Sequence, residues 1–182
     1  MSDQLTKENW VEHGLAVLRD KGHESLKADP LARALGVSRG SFYWHFPSLA
    51  DFHAAVLQAW RVQITESVIA ELGALPHGQD PLTALITKTL ETPQTLEVAV
   101  RRWGGVDPAA AQAIAAVDRL RADYLAGLFR ASGMDEAEAV TRAALLTWAF
   151  VGRAFAPQFA DDLPANAAAD LAGLALGKGG LA

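Results

Sequence analysis

The stretch that most constrains this chain runs from Leu31 to Phe46 and reads LARALGVSRGSFYWHF. Pro30, just before it, suits the first turn of a helix, where its missing N–H costs no hydrogen bond. Gly36 supplies the left-handed residue with which helices often end. Ser38 is a preferred N-cap, and its hydroxyl is placed to accept from a backbone N–H two or three residues further on. The stretch therefore predicts two helices joined by a tight turn, a helix-turn-helix.

The second of these helices is predicted to have one apolar side, because Phe42 and Phe46 lie four residues apart. The remaining circumference is formed by Arg39, Gly40, Ser41, Tyr43, Trp44 and His45. Arg39 can reach a phosphate or a guanine, and the small Ser41 can form hydrogen bonds. The side chains of Tyr43 and His45 can donate hydrogen bonds to phosphates. This surface suits a DNA groove. The alternative is a helical hairpin in an ordinary core, with the aromatic residues only packing.

The segment Gly36–Ser48, which follows one amphipathic helix, resembles the TetR family of transcriptional regulators, above all in its Tyr-x-His-Phe ending at Phe46. The resemblance extends motif by motif from Thr6 to about Ala59. It implies that the helix from Arg39 lies in the major groove of DNA. The residues predicted to contact DNA are Lys27, Ser38, Arg39, Gly40, Ser41, Tyr43, Trp44 and His45.

Two positions depart from the family pattern. The family usually has a Ser or Thr helix cap where Lys27 stands, so Lys27 is assigned to a phosphate contact, and either Ser25 or Asp29 is left to cap the helix. The family also usually has a lysine at the DNA-facing helix end where Leu49 stands. Its replacement removes one phosphate contact and predicts weaker DNA binding.

The charge balance predicts how the chain binds DNA. Its formal net charge is −5, but the segment from Lys27 to His45 carries three basic residues against one acidic residue. The position of positive charge matters more for nucleic-acid binding than the sum. We therefore expect modest non-specific affinity and reliance on a paired, specific site.

Start and stop signals predict an all-α chain with a helix-turn-helix DNA-binding domain over residues 1–47 and a helical regulatory and dimerisation domain over 48–182. The first helix is predicted to begin with Thr6 as its cap and to end at Lys21, with Trp10 in the core. A long helix begins with a capping box at Ser48 and runs like a connecting rod to Gly73. Further helices are predicted over 82–91, 93–103, 108–131 with Asp107 as its cap, from the Asp135 cap onward and over 164–176. The tail over 177–182 is predicted to be frayed.

The last two helices predict the oligomeric state. The helix after Asp135 is apolar almost all round and needs burial on two sides. By the TetR resemblance, the last two helices of each subunit form a four-helix interface in a homodimer. Packing within one chain is the alternative.

A regulatory cavity requires apolar walls with a few polar groups. The candidates from the central helices are Trp60, Arg102, Trp103, Tyr124, Phe129 and Trp148, although aromatic residues at such spacing more often form core. Asp118 and Arg121 are predicted to form a surface or structural ion pair. His13, His23 and His77 are predicted to be surface groups.

Catalysis and metal binding find no support in the sequence. His45, Asp51 and His53 straddle a helix break and match no zinc or iron spacing. No Ser/His/Asp arrangement or phosphate-binding glycine loop stands out, so we predict neither an enzyme nor a cofactor. The chain has no cysteine, which fits the cytoplasm, and no apolar run of bilayer length, so no membrane partner is expected.

Together these features predict a homodimeric regulator that represses from a pseudo-palindromic double-stranded DNA operator and is released by a small-molecule effector. In the mechanism that the resemblance implies, the effector tilts the long helix from Ser48 and changes the spacing of the recognition helices. The alternative is a helical protein-interaction or small-molecule-binding module that has lost specific DNA binding, which the acidic balance and Leu49 favour.

Overall fold

The computed structural model describes residues 5–158 and 162–177, and within these ranges the chain is helical and contains no strand. Its helices are α1 (Lys7–Lys21), α2 (Ala28–Ala34), α3 (Arg39–His45), α4 (Leu49–Arg61), α5 (Ser67–Gly73), α6 (Pro81–Glu91), α7 (Thr95–Gly104), α8 (Pro108–Ala131), α9 (Glu136–Phe155) and α10 (Ala167–Ala175). The all-α prediction is confirmed. No helix in these ranges is long and apolar enough to cross a bilayer. The predicted frayed tail beyond residue 177 lies outside the described residues.

The helices form two compact units. The first consists of the described residues up to Ile64 together with Thr95–Ala115. The second consists of Thr65–Gln94 and the described residues from Ala116 onward. Both α4 and α7 pack against α1, so the first unit includes residues beyond position 47.

Aromatic rings form the core of the first unit. The ring centroid of Phe42 lies 5.4 Å from that of Trp10 and 5.3 Å from that of Phe52, and Phe46 lies 5.0 Å from Phe52. All four side chains are inaccessible to solvent. The helices α1 and α4 approach closely at Gly14, where a Cβ atom would lie 2.6 Å from the Phe52 ring. Edge-to-face rings stabilise beyond the area they bury, so this core holds α1, α3 and α4 together.

Most of the predicted helix caps are present. Thr6, Ser48 and Asp135 each accept a hydrogen bond from the third backbone N–H of their helix, at 3.3, 3.1 and 2.9 Å. Asp107 accepts from two backbone N–H groups of α8, at 2.8 and 3.0 Å. The caps satisfy backbone donors that have no partner within the helix, which explains why α1, α4, α8 and α9 begin where they do.

Two cap predictions are wrong. Ser38 occupies the N-cap position of α3, but its hydroxyl makes no capping hydrogen bond within the described structure. The helix α2 begins at Ala28 with Lys27 at its N-cap, so neither Ser25 nor Asp29 caps it. Asp29 lies instead in the first turn of α2, where a carboxylate interacts favourably with the helix dipole.

The long helix predicted from Ser48 is interrupted. A π-helical turn, Val62–Glu66, joins α4 to α5 and contains the buried Thr65. The hydroxyl of Thr65 accepts from Nε of Arg121 in α8, at 3.2 Å. Such turns within helices often mark functional sites and bends. The predicted connecting rod therefore consists of two α-helices with a π-turn between them.

The second unit has a core of small and apolar residues. Leu82 and Phe129 are buried there against alanines of α9 and α10, such as Ala143 and Ala172. Small residues at helix contacts let the helix axes approach closely. The other side of α9 stays exposed and carries the large apolar residues Val140, Leu145, Trp148 and Phe155. Within the described chain, α9 therefore receives burial on one of the two sides that its sequence requires.

Candidate DNA-binding interface

Backbone hydrogen bonds close the turn between α2 and α3. Gly36 has a φ of +69°, and its N–H donates to the carbonyl of Arg33 at 3.2 Å. The N–H of Val37 donates to the carbonyl of Ala32 at 3.0 Å. This pair of bonds is a Schellman motif, which satisfies the last carbonyls of α2. The prediction for Gly36 is confirmed by this positive φ. A residue with a Cβ atom would be strained in this conformation.

The helix α3 has a buried face and an exposed face. Phe42 and Phe46 are fully buried, whereas Tyr43 is 43% and Trp44 81% exposed. Burial of the two phenylalanines fixes the rotation of α3 about its axis and turns the opposite side to solvent. A tryptophan this exposed adds apolar surface beside polar groups, which suits contact with thymine methyl groups. The predicted division of α3 into two faces is confirmed.

Arg39, the first residue of α3, is held by two neighbours. Its Nε lies 3.3 Å from Oδ1 of Asp29 in α2, and its Nη2 donates to the Tyr43 hydroxyl at 3.3 Å. The guanidinium also lies over the Tyr43 ring, 5.4 Å from the centroid. The pKa of Arg39 is raised, first by the hydrogen bond to Tyr43 and then by the charge of Asp29. Arg39 therefore stays cationic, and its exposed side chain is accessible to a base or a phosphate.

The other residues predicted to contact DNA lie in the same unit. Of these, Lys27, Ser38 and Gly40 are exposed, and Ser41 and His45 are half-buried. All but Lys27 lie on α3 or directly before it.

Two further positions bear on the charge of this surface. The Lys7 ammonium lies 5.4 Å from the centroid of the Phe46 ring, a cation–π contact that sequence reasoning missed because no spacing signals it. Leu49, where the family usually has a lysine, is half-buried at the start of α4. The side chain at that position therefore brings no positive charge to the interface.

The six candidates for ligand binding are divided between the two compact units. Those in the first unit are Trp60, Arg102 and Trp103, and those in the second are Tyr124, Phe129 and Trp148. Trp60, Trp103 and Phe129 are buried, Tyr124 is half-buried, and Arg102 and Trp148 are exposed. Phe129 packs within the core of the second unit. Burial raises the pKa of Tyr124. The sequence grouped these residues only by type, and they belong to two different units.

Two histidines contact Trp103. The His23 ring stacks on the indole with a centroid distance of 6.1 Å, and His53 meets it edge-on at 5.0 Å. The surface prediction is wrong for His13 and His23, which are both half-buried, and holds for His77. It failed for His23 because α7, which is distant in sequence, covers the turn that carries this residue. Within the ranges described, no three potential metal ligands cluster.

One ion pair was predicted from the spacing of its residues along a helix, and two others were missed. The predicted pair of Asp118 and Arg121 is present, with Oδ1 and Nη1 3.4 Å apart and both side chains largely buried. A second pair, Glu97 with Arg101 at 2.7 Å, is more deeply buried and was missed. Its four-residue spacing on a helix could have indicated it, but not its burial. The contact of Asp29 was also missed, because its partner lies on another helix.

An all-α fold in which a helix-turn-helix presents Arg39 and Tyr43 to solvent defines the class of helix-turn-helix DNA-binding proteins. Residues 11–56 match the family model described as "Bacterial regulatory proteins, tetR family". This segment begins in α1 and ends in α4, so it contains the whole helix-turn-helix. Over this segment the chain is therefore similar to the TetR family.

Curated relatives match over the N-terminal part of the chain. It is 36% identical over 56 residues to the transcriptional regulator AcuR of Cereibacter sphaeroides, an alignment that covers 31% of this chain and 26% of AcuR. It is 31% identical over 85 residues to the HTH-type transcriptional regulator AcrR of Shigella flexneri, which covers 45% of this chain and 37% of AcrR. The matched segments thus span well under half the length of these relatives.

Solved structures share the fold over nearly the whole chain. A TetR transcriptional regulator from Legionella pneumophila superposes with a TM-score of 0.73 at 15% identity and covers 98% of each chain. A transcriptional regulator from Saccharomonospora viridis, in complex with choline, has a TM-score of 0.69 at 18% identity and covers 93% of this chain and 92% of its own. At these identities the likeness is one of fold.

Proposed function

We propose that this chain is a sequence-specific transcriptional regulator and that α3 enters the major groove of double-stranded DNA. The observation that carries the proposal is the orientation of α3. Its phenylalanines are buried in the aromatic core, and Arg39, Tyr43 and Trp44 are exposed on the other side. Arginine is the commonest side chain in specific contacts with guanine, and recognition helices of this class contact bases with their N-terminal residues. In this role the chain acts in the cytoplasm by binding DNA, without catalysis.

The exposed side of α9 and α10 supports a homodimer. Six large apolar side chains are exposed on these helices: Val140, Leu145, Trp148, Phe155, Leu171 and Leu174. Exposed apolar surface of this extent is typical of protein–protein interfaces. A two-fold dimer uses the same surface of each subunit, so one apolar face is enough to form it. The two copies of α3 then contact successive major grooves about 34–36 Å apart on a pseudo-palindromic operator.

We propose that a small-molecule effector releases the protein from its operator and that the protein is a repressor. The choline bound to the Saccharomonospora viridis regulator supports a small-molecule site in a protein of this fold. In the second unit, Tyr124 is half-buried and Arg121 lies 4.5 Å from the centroid of the Phe150 ring, and such polar and aromatic groups suit the wall of a ligand site. A differential affinity of about 5.5 kcal/mol would shift the occupancy of two conformations from 1:99 to 99:1.

Selection of duplexes from a random DNA library by the purified chain tests the proposal. We expect enrichment of one pseudo-palindrome, whose half-site spacing reports the distance between the two copies of α3. Binding that weakens evenly with salt and enriches no motif would contradict it. That outcome would favour the alternative, a helical interaction or ligand-binding module that has lost specific DNA binding.

Single substitutions locate the interface. Arg39→Ala and Tyr43→Ala should each weaken binding to the selected duplex, because both side chains are exposed on α3. Arg19→Ala is a matched control, since this exposed arginine lies on α1 and pairs with Asp20. Equal affinities of all three variants and the unmodified chain would exclude α3 as the recognition helix.

A further inference from the structure

We infer that Asp29 is a positioning residue that sets DNA specificity by holding Arg39 and directing it to a base edge rather than to a phosphate. The inference rests on the proposed function. Oδ1 of Asp29 lies 3.3 Å from Nε of Arg39, so the pair joins α2 to α3 across the turn. The N-cap of α2 is Lys27, so the carboxylate of Asp29 does not serve as the cap of its helix.

The guanidinium of Arg39 is held from two directions. Asp29 lies on the Nε side, and the Tyr43 hydroxyl accepts from Nη2 at 3.3 Å. A guanidinium is a rigid planar fork of five N–H donors, so two contacts orient the whole group. An arginine oriented before DNA arrives loses less side-chain entropy on forming a bidentate contact with guanine. Asp29 and Tyr43 together therefore favour base recognition by Arg39.

The charge of Asp29 also acts against non-specific binding. It is the only acidic residue between Lys27 and His45, a segment with three basic residues. Attraction to phosphates is independent of sequence and grows with each cation that contacts the backbone. A carboxylate beside Arg39 reduces this attraction at the interface, whereas a well-oriented guanidinium retains its base contact. The expected consequence is a higher ratio of specific to non-specific affinity.

If the pair of Asp29 and Arg39 served only to hold the fold together, replacement of Asp29 would lower folding stability. Both members of the pair are more than half exposed, at 62% for Arg39 and 54% for Asp29. Exposed ion pairs contribute little to folding stability. Replacement of Asp29 should therefore change the choice among DNA sequences and leave the unfolding transition in place.

The experiment compares Asp29→Asn with the unmodified chain on two probes, the selected duplex and a shuffled duplex of the same composition. We expect Asp29→Asn to bind the shuffled duplex more tightly and to show a lower specificity ratio. If each freed Arg39 contacts a phosphate, the slope of log K against log salt steepens by about 0.9 per subunit. The loss of affinity for the shuffled duplex between 50 and 200 mM salt then grows about 3.5-fold per subunit.

Asp20→Asn is the matched control. Asp20 is 56% exposed and pairs with Arg19 on α1, so its replacement removes the same charge from the same unit without touching α3. We expect the specificity ratio of this variant to equal that of the unmodified chain. An equal fall in the ratio for both variants would mean that only net charge matters, which would overturn the role of Asp29.

Combination with Arg39→Met distinguishes positioning from simple repulsion. If Asp29 acts through Arg39, Asp29→Asn should leave the ratio unchanged in the Arg39→Met background. The same fall with and without Arg39 would overturn the inference, as would an unchanged ratio in Asp29→Asn alone. A selected motif with an unchanged ratio refutes only the role of Asp29, whereas failure of the unmodified chain to select any motif refutes the proposed function.

Discussion

Replacement of Phe42 by alanine is the sharpest test of how α3 is oriented. The Phe42 side chain is inaccessible to solvent, and its ring lies 5.3–5.4 Å from those of Trp10, Phe46 and Phe52. Core Phe→Ala substitutions cost about 3–5 kcal/mol of unfolding free energy, partly through the cavity that remains. Three rigid neighbouring rings collapse poorly into such a cavity, so we expect about 4–5 kcal/mol.

Thermal and urea unfolding measure this loss. For a chain of this length, each kcal/mol lowers Tm by about 2–4 °C, so Phe42→Ala should lower it by about 8–20 °C. Tyr43→Ala is the matched control on the next residue, which is 43% exposed. Its stability should change by about 0.5 kcal/mol or less.

The result that refutes the reasoning is an equal transition for Phe42→Ala and Tyr43→Ala, because α3 would then not be oriented by its phenylalanines. Phe42→Leu supplies a second check. Leucine retains much of the apolar volume, so this variant should recover part of the lost stability. A loss as large as that of the alanine variant would show that cavity formation is not the cause.

Three further predictions follow from packing, capping and exposure. Gly14→Ala should lower the free energy of unfolding by about 1–3 kcal/mol, because its Cβ would lie 2.6 Å from a ring carbon of α4. Gly40→Ala is the control, since its Cβ would meet nothing closer than 3.6 Å, and it should be neutral or stabilising by up to about 1 kcal/mol. Equal urea midpoints for the two variants would contradict this. Asp107→Ala should cost about 0.5–2 kcal/mol at pH 7 through loss of the α8 cap. The hydrogen bond from the backbone N–H of Ala110 is the main cause that lowers the pKa of Asp107 below 3.8. The stabilisation by this cap is therefore present above that pH and is lost as pH falls through the folded-state pKa. The unfolding free energies of the unmodified chain and Asp107→Ala should differ at pH 7 and converge at pH 3, and a constant difference would count against the cap. Trp148→Glu should weaken the dimer in sedimentation experiments, because this side chain is 71% exposed on α9, and unchanged self-association would exclude that surface as the interface.

The features predicted correctly from sequence depend on residues that lie within a few positions of each other. Gly36 ends α2 with a positive φ, and Thr6 and Ser48 cap their helices through the third backbone N–H. Phe42 and Phe46 share the buried side of α3 because they are four residues apart. Local hydrogen bonds and helical periodicity are enough to specify each of these features.

The features that were missed depend on segments far apart in the chain. Periodicity indicates which side of a helix is apolar, but it does not say which element covers that side. The packing of α7 against α1, which extends the first unit beyond residue 47, therefore had no local signal. The same holds for the hydrogen bond between Thr65 and Arg121, which lie 56 residues apart.

The sequence by itself determined the all-α class, the position of the helix-turn-helix and the set of residues from Ser38 to His45 that α3 exposes or buries. Only the tertiary structure decided that Asp29 reaches Arg39, that the ligand candidates divide between two units, and that one side of α9 remains exposed. The reason is physical. Helix caps and turns are stabilised by neighbours along the chain, whereas the burial and charge environment of a side chain depend on helices that fold against it from elsewhere.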